Sequence, residues 1–111
     1  MAQERVIGRL SQIPPGEGRT FEVDGRSVAV FHTRTGQVLA TQAECPHGRG
    51  PLADGLLGGT SLVCPLHEWT FDLTTGANLV GRCGLELYPV RATERGEIVL
   101  TVSQPAAAMA S

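Results

Sequence analysis

The sequence predicts an all-β fold, a small antiparallel β-sandwich, on three observations. Glycine (14 residues) and proline (7) interrupt the 111-residue chain at short intervals. No stretch holds a helical apolar period over several turns. Between the turn signals lie short runs rich in strand formers, spaced as in small sandwiches and barrels.

The elements follow in order. Residues 19–23 alternate, with Phe21 and Val23 on one face. Asp24-Gly25 is a two-residue hairpin signal, and residues 26–33 return with Val28 and Val30 in register. Arg34-Thr35-Gly36 turns the chain into a strand over 37–42. Residues 85–92 form a further candidate strand. A turn at 93–96 leads to a strand over 97–102, where Ile98, Leu100 and Val102 line one face. Gly16-Glu17-Gly18 lacks the third glycine and the strand-helix setting of a dinucleotide fingerprint, so it reads as a turn. The Ala-rich residues 103–111 read as a flexible tail.

Composition excludes several classes of function. The net charge is −2 and the basic residues are nine arginines, too few for a nucleic-acid or anionic-membrane footprint. No apolar run approaches a membrane span, and residues 1–5 lack the pattern of a signal peptide. The expectation is a soluble, cytoplasmic protein. Three cysteines without a secretion signal point to metal or redox chemistry rather than a disulfide framework.

From residue 45 to 59 the chain holds five glycines and two prolines with few strand formers, so it reads as a long functional loop. Two short motifs flank it: Cys45-Pro46-His47 and Cys64-Pro65-Leu66-His67, with sixteen residues between His47 and Cys64. They offer two thiolates and two imidazoles, a set that zinc and iron–sulfur sites both use. Zinc knuckles space paired ligands two to four residues apart, and Cys45-x-His47 is tighter. The spacing fits better if each motif divides its ligands between two metals, as a two-iron cluster allows with both cysteines on one iron and both histidines on the other. The glycines fit as well, because backbone N–H groups must approach the sulfurs closely. A zinc-stabilised binding module remains the contrasting reading.

The stretch from Cys45 to Leu52, then Cys64-Pro65-Leu66-His67, Phe71-Asp72-Leu73-Thr74-Thr75-Gly76 and Tyr88-Pro89-Val90-Arg91, resembles the Rieske-type [2Fe–2S] ferredoxins. The flavours it resembles are bacterial dioxygenase ferredoxins and the Rieske-like small subunit of NADH-dependent nitrite reductases. The resemblance implies a Rieske domain over 1–102, a β-sandwich base carrying a cluster-binding subdomain with loops at 45–52 and 64–72. It implies one [2Fe–2S] cluster, with Cys45 and Cys64 on one iron and His47 and His67 on the solvent-facing iron. It also implies a low-potential one-electron carrier rather than an enzyme, without catalytic residues. A reductase would be the donor, and a terminal oxygenase or a nitrite reductase large subunit the acceptor. Docking is expected at the cluster tip, with Arg49, Leu52 and Glu68 around the histidines.

High-potential members carry an extra cysteine in each loop, joined as a disulfide, and Ser and Tyr hydroxyls near the sulfurs. Here those positions hold Gly50 and Leu66, and Trp69 and Phe71. Glu68 stands where the family commonly has glycine and adds a negative charge. Each departure lowers the expected potential. Trp69 and Phe71 read as packing residues of the cluster subdomain. Cys83 belongs to neither motif and reads as a small buried thiol, and His32 as a sheet-surface histidine.

Overall fold

The computed structural model describes residues 2–44, 51–64, 70–77 and 84–103. Among the described residues ten strands follow in order: β1 Ala2–Arg9, β2 Glu17–Val23, β3 Arg26–His32, β4 Val38–Gln42, β5 Leu56–Gly58, β6 Ser61–Val63, β7 Thr70–Asp72, β8 Leu87–Tyr88, β9 Val90–Ala92 and β10 Glu97–Ser103. Single 3₁₀ turns at Leu10–Gln12 and Leu52–Asp54 are the only helical segments among the described residues. None of the described helices is long and apolar enough to cross a membrane.

Three antiparallel sheets result, ordered β1-β10-β9, β2-β3-β4-β8 and β5-β6-β7. Strand β3 holds them together because its two faces serve two cores. Val28 and Val30 join Ile13, Val23, Ala40, Ile98 and Leu100, the packing of the first two sheets against each other. Ala29 and Phe31 point the other way and join Leu52, Leu62, Cys64, Phe71, Leu73 and Leu85, the core beneath the third sheet. Successive side chains of a strand point to opposite faces, so the unbroken run from Val28 to Phe31 is the sequence mark of a strand buried on both sides. Phe31 is completely buried. Burial of such a side chain is worth roughly 1.5–3 kcal/mol.

The β2–β3 hairpin turns at Asp24-Gly25 as expected, with φ of 51° and 82°. Positive φ at both central residues is what a two-residue turn needs to match the strand twist. Strand β2 begins at Glu17, so only Gly16 of the Gly16-Glu17-Gly18 triplet lies before the strand. Gly18 is inside it for a packing reason: a Cβ there would lie 2.6 Å from the Phe31 ring and 3.3 Å from the Ala53 Cα. The missing side chain lets the Leu52–Asp54 turn settle over the sheet.

Two sequence expectations change. The candidate strand over 85–92 is two strands in two sheets, separated by Pro89: β8 pairs with β4, and β9 with β10. Proline has no N–H for a ladder, and the chain crosses between sheets there. The presumed loop over 45–59 and its continuation contain the β5–β6–β7 meander, whose three-residue strands are too short to show alternation. Strand β1, absent from the sequence reading, pairs with β10 from Ala2↔Ser103 to Arg9↔Glu97 with an irregularity between Val6 and Gly8.

Candidate metal centre

Both segments that carry the sequence motifs are bounded by closed necks. Strand β4 runs through Ala43 to Glu44, and Glu44 faces Pro51 in an isolated antiparallel bridge. The Leu52 amide donates to the Ala43 carbonyl at 2.9 Å, and the Gln42 side-chain amide donates to the Glu44 carbonyl at 2.8 Å. The first motif therefore lies between two described ends, Glu44 and Pro51, that are tied together. The second neck is the β6–β7 hairpin, paired Ser61↔Asp72, Leu62↔Phe71 and Val63↔Thr70. Cys64 follows directly on its last described rung.

The two necks rest on one core. Leu52, which follows the first loop, and Cys64 and Phe71, which flank the second, belong to the same buried cluster, and all three have zero exposure. Gly55 makes the join close: a Cβ there would lie 2.5 Å from the Val63 carbonyl oxygen, so the two segments pack backbone to backbone. Leu52 is thus a core residue, which corrects its expected place on the docking surface.

A third segment braces the hairpin. The Asp72 carboxylate accepts from the Thr74 amide at 2.9 Å and from the Thr74 hydroxyl at 2.6 Å. These bonds hold its carboxyl below the ordinary 3.8. Gly76, at φ 79°, donates to the Asp72 carbonyl at 2.6 Å and accepts from the Leu85 amide at 2.7 Å. The motif Phe71 to Gly76 is therefore a tight turn that pins β7 to the segment leading into β8.

Of the four predicted ligands, Cys64 is described, and it is a free, fully buried cysteine. Cys45, His47 and His67 lie outside the described residues, as do Arg49, Gly50, Leu66, Glu68, Trp69 and Cys83. Among the described residues no three His, Cys, Asp or Glu side chains gather as a metal site. His32 bonds the Ile13 carbonyl through Nδ1 at 2.7 Å. Sequence reasoning missed Gln42, whose partner Glu86 becomes a neighbour only once β4 and β8 pair.

The donor set fits a two-iron cluster. Two ferric ions, two sulfides and two thiolates carry no net charge, and one added electron makes the cluster singly negative, with neutral imidazoles unchanged. Two tied necks on a shared apolar base suit a cofactor that draws ligands from both motifs.

The Rieske [2Fe–2S] domain family matches residues 3–85. The ferredoxin component of the Pseudomonas aeruginosa naphthalene 1,2-dioxygenase system is 34% identical over 84 residues, covering 74% of this chain and 80% of that one. The ferredoxin of carbazole 1,9a-dioxygenase from Nocardioides aromaticivorans IC177 superposes with a TM-score of 0.78 at 29% identity, over 88% of this chain and 96% of the other. A Mycobacterium tuberculosis protein assigned as an NADH-dependent nitrite reductase small subunit shares the fold, with a TM-score of 0.86 at 22% identity over 95% and 99%. The chain belongs to the Rieske [2Fe–2S] family, whose domain binds a [2Fe–2S] cluster.

Proposed function

We propose that this chain is a low-potential, one-electron carrier of the cytoplasm that takes electrons from a reductase and passes them to a terminal oxygenase. Cys45, His47, Cys64 and His67 hold its cluster in this reading. One observation carries the site: the segments bordering both ligand motifs, at Leu52 and at Cys64 and Phe71, share a single core. The dioxygenase ferredoxin relatives, matched over four-fifths of their length, support the carrier role.

The low potential rests on chemistry at the second neck. Phe71 is buried in the same core as Cys64 and has no hydroxyl to donate to a sulfur. Hydroxyl donors favour the reduced, more negative cluster, so their lack favours the oxidised one. Glu68 adds a nearby negative charge that acts in the same direction. Protein-film voltammetry at pH 7 tests this. The expected midpoint is near the lower end of the Rieske range of about −150 to +300 mV, and a midpoint above roughly +100 mV would overturn it.

The second reading is a small subunit held by a nitrite reductase large subunit, favoured by the fold match to the Mycobacterium tuberculosis protein. Stable co-purification with a catalytic subunit would select it over a freely exchanging carrier.

A further inference from the structure

We propose that Gln42 is a positioning residue for the cluster, acting through the peptide that leads into Cys45. The proposal rests on the reading of Cys45 as a ligand. Regular pairing between β4 and β8 ends at Thr41↔Leu87. One residue farther, the Gln42 amide still donates to the Glu86 carbonyl at 3.1 Å, but the return bond is made by a side chain: the Glu86 amide donates to Gln42 Oε1 at 2.9 Å. The other end of the same side chain, Nε2, donates to the Glu44 carbonyl at 2.8 Å. The orientation of the side-chain amide follows, because a backbone N–H only donates and a carbonyl only accepts.

Gln42 thereby carries the sheet past its last backbone rung to the residue before the first ligand. Glu44 is held from two directions, by this bond and by its bridge to Pro51. A peptide is planar, so fixing the Glu44 carbonyl fixes the plane of the bond into Cys45. Gln42 is suited to the task among close relatives of its side chain. Glutamate keeps the acceptor for Glu86 but has no donor for Glu44, asparagine is one methylene shorter, and methionine has the length with neither bond. Without the Nε2 bond the peptide turns more freely and the thiolate leaves iron more often.

The test compares cluster-loaded full-length chains. Iron release to an excess of a chelator is measured beside the melting temperature for wild type, Gln42→Glu, and Leu87→Ala. The last weakens the β4–β8 pair without touching the Glu44 bond. The expected result is iron release about three- to tenfold faster in Gln42→Glu than in a Leu87→Ala protein of equal or lower melting temperature, the worth of one ordinary hydrogen bond. A change in the electron paramagnetic resonance of the reduced cluster should accompany it. If Gln42→Glu fails to fold, Gln42→Met makes the same comparison. Release that tracks melting temperature equally in both positions overturns the proposal. A wild-type chain without iron and sulfide would instead overturn the cluster reading beneath it.

Discussion

Glu44 and Pro51 face each other across a single antiparallel bridge, so the segment carrying Cys45 and His47 leaves and rejoins the fold at one place. The hairpin that precedes Cys64 and resumes at Thr70 does the same for the second motif. Leu52, Cys64 and Phe71 bury the feet of both in one core.

Leu52→Ala tests the base directly. Leu52 is fully buried, and truncating such a leucine costs about 2–5 kcal/mol. Denaturant unfolding should show a loss in that range together with faster iron release. A loss below about 1 kcal/mol would mean the site collapses around the gap and the base is not shared.

Gly76→Ala tests the turn after β7. Gly25 and Gly76 both have positive φ, but a Cβ at Gly25 meets nothing within 4 Å, whereas at Gly76 it would lie 2.4 Å from the Leu85 carbonyl oxygen. Gly25→Ala should show the backbone cost alone, on the order of 1 kcal/mol. Gly76→Ala should cost clearly more. Equal losses would show that the contact with Leu85 relaxes freely.

Tyr88 supplies a pH prediction. Its phenol is half-buried and donates to Glu86 at 3.3 Å, and burial, then the Glu86 charge, raises its pKa above the ordinary 10.0. A raised folded pKa on a group that becomes anionic means its stability contribution is complete below the unfolded value and is lost as pH rises through the folded one. The chain has a single tyrosine, so phenolate absorbance reports on this group alone. The folded midpoint should lie above 10.0 and fall in Glu86→Gln; an unchanged midpoint in that variant would remove Glu86 as a cause.

Glu68→Arg tests docking at the cluster tip. Charges at an interface act chiefly on association rate and its salt dependence. Electron transfer to the physiological acceptor should change in rate and in its response to salt. Indifference on both counts would place the contact surface elsewhere.

Much of the fold was legible in the sequence where a local signal exists. Asp24-Gly25 marked its hairpin, and the alternation of Ile98 and Leu100 marked a buried face. The two Cys/His motifs are each a few residues long and so are visible locally, and of their four residues Cys64 lies among the described ones. Strand β1 was not, since Glu4, Arg5 and Val6 are exposed on a strand held by long-range pairing with β10. The run from Val28 to Phe31 holds the signal for a second core, because Ala29 and Phe31 are as apolar as Val28 and Val30 on the opposite face. Pro89 likewise marked the change of sheet within 85–92. Gln42 was illegible for a different reason: its partner Glu86 lies 44 residues away and has no motif to announce it.

The central claim, that Cys45, His47, Cys64 and His67 together hold one cluster, is tested most directly by iron and acid-labile sulfide per chain. Wild type and Cys83→Ser should each carry about two irons and two sulfides, and alanine at any of the four ligands should abolish that content. Zinc without sulfide in the wild type, or a full cluster surviving the loss of one of the four, would contradict it.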